Sequence, residues 1–156
     1  MQIAVISDTH GLLRPELVEV LKTCDHIIHA GDVGDRETLA SLRDIAPVTA
    51  VRGNVDTGRW AEELPPRQSV ELGGRRFYVI HDLHRLDLDP ETAGFDVVIF
   101  GHSHAPEVKK EGSVFFINPG SAGPKRFHFP VSYVRVDIVD DRLALEFKVI
   151  DFELAV

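Results

Sequence analysis

Through the first hundred residues, apolar runs alternate with amphipathic stretches, and nearly every run stops at a polar cluster containing glycine. Residues 2–7 read as a buried strand ending in Ser7-Asp8-Thr9-His10-Gly11. Pro15 stands where a helix can start, and Leu17, Val18 and Leu21 give that helix an apolar stripe. Residues 25–30 form a second strand, closed by Gly31-Asp32-Val33-Gly34-Asp35. A helix over about 35–44 follows, with Leu39 and Leu42 facing inward, and then a third strand over 47–52, closed by Gly53-Asn54-Val55-Asp56. This alternation predicts a parallel sheet.

The second half is richer in strands. Residues 68–72 and 75–80 flank Gly73-Gly74 and read as a hairpin that ends at His81-Asp82. A short irregular or helical piece fills 83–93. An apolar strand over 96–100 then runs into Gly101-His102-Ser103-His104. Residues 107–110 and 113–118 pair around Glu111-Gly112, Asn118-Pro119-Gly120-Ser121 is a turn, and 131–139 with 143–150 make a last hairpin around Asp140-Asp141.

In this layout Asp8, His10, Asp32, Asn54, His81, His102 and His104 all fall at the ends of strands. Strand carboxyl ends lie along one edge of a parallel sheet, where ligands bind. Asp, Asn and Gly are also ordinary turn formers. A single cluster is therefore explained by a turn, whereas five ordered clusters with four histidines among them are not. Carboxylate, amide and imidazole together suit borderline divalent cations that do chemistry. No cysteine joins the set, which excludes a structural thiolate zinc site.

The 156 residues suit one domain, 1–156, with a core that needs no staples. The single cysteine, Cys24, fits a reducing compartment, and neither a signal peptide nor a membrane-spanning run is present, so the cytoplasm is expected. A net charge of -8 argues against general nucleic-acid binding but not against a small phosphate ester, because bound cations would concentrate positive charge at one point.

Asp8-x-His10, Gly31-Asp32-x-x-Asp35, Gly53-Asn54-x-Asp56, His81 and Gly101-His102-x-His104 together resemble the calcineurin-like metallophosphoesterase superfamily. His29-Ala30-Gly31-Asp32, Arg52-Gly53-Asn54 and Asn118-Pro119-Gly120-Ser121 look like its small single-domain phosphodiesterase branch. The resemblance implies an α/β fold, a four-layer α/β/β/α sandwich of two mixed sheets flanked by helices. It implies two divalent ions, manganese first, with nickel, iron, magnesium and zinc as alternatives. Asp8, His10, Asp32 and His104 would hold one ion, and Asp32, Asn54, His81 and His102 the other. Asp32, Asn54 and His102 are the expected catalytic residues. The implied reaction is hydrolysis of a small phosphodiester by metal-activated hydroxide. The alternatives are a monoesterase on the same site and a non-catalytic scaffold like the retromer subunit of this fold. Intact ligand positions favour the enzyme. Family behaviour alone suggests a homodimer.

Where many family members carry a histidine after the metal-binding asparagine, this chain has Val55. Without that acid, dependence on good leaving groups is expected. His84 is the open question beside it. Asp35 and Asp56 fit ligand-orienting, turn or cap roles, His29 a core or ligand-supporting role, and His26 and His128 surface or loop positions. Lys125 and Arg126 are candidate phosphate contacts. Trp60, Leu64, Phe127 and Phe129 are either core or an exposed patch.

Overall fold

The computed structural model describes residues 1–150, and its ten strands form two five-stranded sheets. The last six positions of the expected domain lie outside the described residues. The chain runs β1 (Gln2–Ile6), α1 (Pro15–Leu21), β2 (His26–His29), α2 (Arg36–Ile45), β3 (Val48–Ala50), β4 (Arg67–Leu72), β5 (Arg75–Ile80), β6 (Val97–Ile99), β7 (Glu107–Glu111), β8 (Val114–Asn118), β9 (Ser132–Val139) and β10 (Arg142–Val149). The first sheet has the order β10-β9-β1-β2-β3 and the second β4-β5-β6-β8-β7. As the alternating pattern predicts, β1, β2 and β3 are parallel; so are β5, β6 and β8.

The period of two along each strand divides its side chains between two layers. Ile3 and Val5 of β1, with Phe77, Val79, Val97, Ile99 and Ile117, fill the space between the sheets. Ala4 and Ile6 face the other way, onto Leu17 and Leu21 of α1 and Leu42 of α2. The outer face of the second sheet is covered by Leu83, Leu86, Leu88 and Phe95, from a 3₁₀ turn (Leu83–Arg85) and the irregular chain after it. That outer layer is therefore thinner than a helix.

Local signals account for most boundaries. Pro15 supplies the first position of α1, where its missing N–H costs nothing. Asp35 caps α2, accepting a 2.8 Å hydrogen bond from the Thr38 N–H. Gly73 and Gly74 both have positive φ, 58° and 81°, as the tight β4–β5 hairpin requires. A second 3₁₀ turn, Arg59–Glu63, has no counterpart in the apolar pattern. It places Trp60 and Leu64 against Val33, Leu39 and Ala50, so both belong to a small core cluster.

Candidate metal centre

All seven predicted residues emerge from the carboxyl ends of β1, β2, β3, β5 and β6 or the loops that follow them. Backbone hydrogen bonds lace these loops together. Asp8 and His10 donate to the carbonyls of Gly31 and Asp32, at 3.0 and 2.9 Å, and the Gly101 N–H donates to the His81 carbonyl at 3.0 Å. Two groups converge: Asp8, His10 and His104, and Asp8, Asp32 and His81, the candidate ligand atoms of each lying within 4.8 Å of one another. His10 Nε2 sits 3.8 Å from Asp8 Oδ1 and 3.6 Å from Asp32 Oδ2; His81 Nε2 is 3.2 Å from Asp32 Oδ2. The His10 and His104 rings stack at 5.2 Å, and the His81 and His102 rings meet edge-on at 5.2 Å. Asn54 and His102 are exposed and stand at the opening.

Asp8, Asp32 and His81 are each held by one end of the side chain, with the other end turned to the centre. Asp8 Oδ2 accepts from Ser7 Oγ (2.7 Å) and the His102 N–H (3.2 Å), leaving Oδ1 unpartnered. Asp32 Oδ1 accepts from the Val55 N–H at 3.0 Å, which leaves Oδ2 for His10 and His81. His81 Nδ1–H donates to the Ala30 carbonyl at 2.7 Å, so Nε2 faces the centre with its lone pair. Asp8 Oδ1, His10 Nε2, His81 Nε2 and His104 Nδ1 are buried polar atoms without a hydrogen-bond partner among the described residues. An unsatisfied buried polar atom costs about 1–3 kcal/mol. Four such atoms, on one carboxylate and three imidazoles spread over the two groups, fit divalent cations.

The backbone pays for this arrangement too. Asp8, His10, Asp32, His102 and His104 have φ of 57°, 47°, 57°, 74° and 63°. Asp and His tolerate this region better than most residues, yet it still costs on the order of 1 kcal/mol. Gly53 and Gly101 allow the close approach: a Cβ on Gly53 would collide with the Asp32 carboxylate, and one on Gly101 with Ser7 and Asp8.

Beneath the centre, His29 is fully buried. Thr9 Oγ1–H donates to the Val33 carbonyl, so His29 Nε2–H donates to Thr9 Oγ1 (2.9 Å), while Nδ1 accepts from the Gly31 N–H (3.1 Å). Burial lowers its pKa to about 4, partly offset by Asp56 and Asp8. Burial acts to raise the pKa of Asp32, but the His81 ring, the Val55 amide and the charges of His81 and His10 outweigh it and hold the carboxyl well below the usual range. For His81, burial acts downward and the Asp32 carboxylate overrides it, so the ring's pKa is raised. His104 is lowered by burial, against the pull of Asp8 and with the help of Arg126.

Asp56 accepts from the N–H groups of Val33, Gly34 and Gly53, so it is the clamp between the second and third loops. Asp35 is a helix cap. His26 does not lie in a loop: it begins β2, half-buried, 2.8 Å from Thr49 Oγ1, because Ile3 pairs across from it. His128, Lys125 and Phe127 are exposed and Phe129 is half-buried. His84 is exposed on its 3₁₀ turn, and Val55 is exposed beside Asn54. Asn118 gains a role that its turn signature alone did not specify. Its side chain donates to the Gly101 carbonyl (3.2 Å) and Ser103 Oγ (3.1 Å) and accepts from the Gly120 N–H (3.0 Å), pinning the loop that carries His102 and His104.

The model of the calcineurin-like phosphoesterase superfamily domain matches residues 1–141. The chain belongs to this superfamily. Over 98% of its length this phosphoesterase is 37% identical to a probable metallophosphoesterase of Methanocaldococcus jannaschii, covering 82% of that protein. It is 30% identical to the phosphodiesterase YfcE of Escherichia coli, with 88% of each chain covered. Among solved structures, it is similar to Vps29 of Chaetomium thermophilum, with a TM-score of 0.76, 23% identity and coverage of 95% and 96%. At that identity the likeness carries the fold alone. The phosphoesterase thus has the two-sheet architecture of its superfamily and side chains suited to divalent metal. No described helix is long and apolar enough to cross a membrane.

Proposed function

We propose that this phosphoesterase, as one domain over 1–156, is a dinuclear metal-dependent phosphodiesterase acting on small diesters. The observation that carries the reading is the shared Asp32 carboxylate, flanked by His10 and His81 and surrounded by buried polar atoms without partners. Asp8, His10, Asp32 and His104 would hold one ion; Asp32, Asn54, His81 and His102 would hold the other. Manganese is the preferred metal. When bound, the ions supply an acidified water and neutralise charge on the phosphoryl oxygens.

The chain's own contribution is positional. Ser7 and the His102 amide fix the Asp8 carboxylate, Val55 N–H fixes Asp32, and the Ala30 carbonyl fixes the His81 tautomer. In hydrolysis, water adds to phosphorus, one P–O bond breaks, and the leaving oxygen takes a proton. Position 55 carries no imidazole to deliver that proton, and His84 faces solvent. Activated aryl esters are therefore the preferred substrates, since a positioned acid is worth roughly 10²–10⁴-fold. A non-catalytic scaffold would have no use for four unpartnered ligand atoms, three of them on Asp8, His10 and His104 in strained backbone.

The test is hydrolysis of bis(4-nitrophenyl) phosphate and 4-nitrophenyl phosphate by metal-stripped protein, with each divalent ion restored in turn. Diester turnover restored by manganese supports the reading. Tight metal binding without turnover by any ion refutes it.

A further inference from the structure

Beside the opening of the centre lies a cavity of about 280 Å³ whose wall includes Asn54 and His81. It is smaller than the roughly 300–1,000 Å³ of a whole ligand site, so it has the size of a subsite. Its wall carries three arginines, Arg52, Arg67 and Arg85, with Pro66 and Ile80 as the apolar part. In a chain with 25 acidic and 17 basic residues, this concentration of positive charge runs against the overall balance.

The three guanidiniums are not equivalent. Arg67 is paired with Asp87 at 2.8 Å. Among the described residues, Arg52 and Arg85 have no ion pair or side-chain hydrogen bond. Asp82, the one carboxylate in the wall, is turned to its own chain, accepting from the His84 N–H at 3.0 Å. Arg52 precedes Asn54 by two residues and its N–H is tied to the Pro65 carbonyl at 2.9 Å; Arg85 follows His81 by four, its N–H tied to the Asp82 carbonyl at 3.0 Å. Both free cations therefore ride on segments that also carry a candidate metal ligand. Their distance from the reacting phosphate is set by the same backbone.

We infer that this cavity binds a second phosphate of the substrate, so that the natural substrate is a diester carrying a further phosphoryl group on its alcohol portion. Guanidinium matches phosphate with paired N–H donors, and a wall with two unpaired guanidiniums leaves that charge uncompensated until an anion arrives. The inference rests on the phosphodiesterase reading, because the scissile group is placed at the metal centre.

The experiment is calorimetric titration with thymidine 3′,5′-bisphosphate and thymidine 5′-monophosphate, with and without manganese. It is paired with KM for the 5′-(4-nitrophenyl) esters with and without the 3′-phosphate. The second phosphate should tighten binding about ten-fold, the effect of one good charged contact, in both metal states. In Arg52→Gln/Arg85→Gln the two ligands should bind within about two-fold of each other. Arg142→Gln, at the β9–β10 turn on the opposite edge of the first sheet, should keep the preference. Equal binding of the two nucleotides by the native protein, a preference seen only with metal, or a preference that survives the double substitution would each overturn the inference. Bis(4-nitrophenyl) phosphate has no second anion, so its turnover tests the underlying reading separately.

Discussion

Inside the metal centre, Asp8 is fully buried and Asp32, His81 and His104 are 4%, 4% and 5% exposed; at its mouth, Asn54 and His102 stand in solvent. The inner residues are each anchored by a hydrogen bond from Ser7, Val55 or to Ala30, or by packing against a neighbouring ring. Among the described residues Asn54 has no such anchor beyond its place between Gly53 and Val55, two residues whose amides serve Asp56 and Asp32. The inner part is thus continuous with the core, where geometry is over-determined. The mouth is where substrate meets the protein and where the arginine-lined cavity begins. Substitutions inside should change metal binding and folding together, and substitutions at the mouth should change turnover with the fold intact.

The largest expected effect is that of Asp32→Ala. It removes the carboxylate shared by His10 and His81 and should lower kcat/KM by about 10³-fold or more, ~4 kcal/mol of transition-state stabilisation. Asn54→Ala should cost about 10²-fold in the same measurement. The contrast lies in stability: Asn54→Ala should leave the unfolding free energy of the metal-free protein within about 0.5 kcal/mol. Asp32→Ala should shift it measurably. Equal shifts in urea unfolding would erase the distinction between interior and mouth, and full activity in Asn54→Ala would remove that residue from the centre.

Next in size is a pH effect from below the inner part. His29 has a pKa of about 4 in the fold, against 6.5 ordinarily. Its folded pKa is depressed, so the unfolded chain binds more protons between those values. Its stabilising contribution is full above pH 6.5 and is lost as pH falls toward 4. At pH 5 the loss from this residue is about 2 kcal/mol. The gap in unfolding free energy between native and His29→Gln metal-free protein, read by urea unfolding, should therefore shrink by that amount from pH 7 to pH 5. An undiminished pH dependence in the variant would mean that other groups carry it.

Much of this molecule was readable from its amino acids, for an identifiable reason. Strand periods and the Gly73-Gly74 hairpin depend on neighbours in sequence and appear in the structure, which also decides among the roles open to Asp35 by making it a cap. The strand-end positions of Asp8, His10, Asp32, His81 and His104 followed from the same reasoning, and these side chains do come together. What sequence could not show depends on distant partners. The His102 amide meets the Asp8 carboxylate across 94 positions, and a Cβ on Gly101 would strike Ser7. Arg52 and Arg85 share a cavity only because β3 and β5 deliver their following loops to the same place. The turn at Arg59–Glu63 is short, and five residues give no period to read.

Asn118→Ala tests whether the mouth borrows its order from the interior. The variant loses hydrogen bonds to Gly101, Ser103 and Gly120, and so frees the loop bearing both His102, outside, and His104, inside. Supporting residues of this kind are worth about 10–100-fold in metal affinity; a loss near ten-fold, ~1.4 kcal/mol, is expected here by calorimetry. Unchanged affinity would show that His104 is held by its stacking on His10 alone.

The smallest effect belongs to His84, and its smallness is informative. It is an imidazole not assigned to metal that could stand in for the acid missing at Val55, yet it is exposed on the 3₁₀ turn and absent from the cavity wall that Asp82 and Arg85 line. A general acid must come within about 2.6–3.2 Å of the leaving oxygen, directly or through one water. His84→Ala should therefore change kcat/KM for an aryl diester by less than about two-fold and leave the pH profile of kcat in place. A ten-fold loss, growing as the leaving group becomes poorer, would make His84 the proton donor. The turn would then have to fold over the mouth during the reaction, and the exposed side of the centre would be the part that moves.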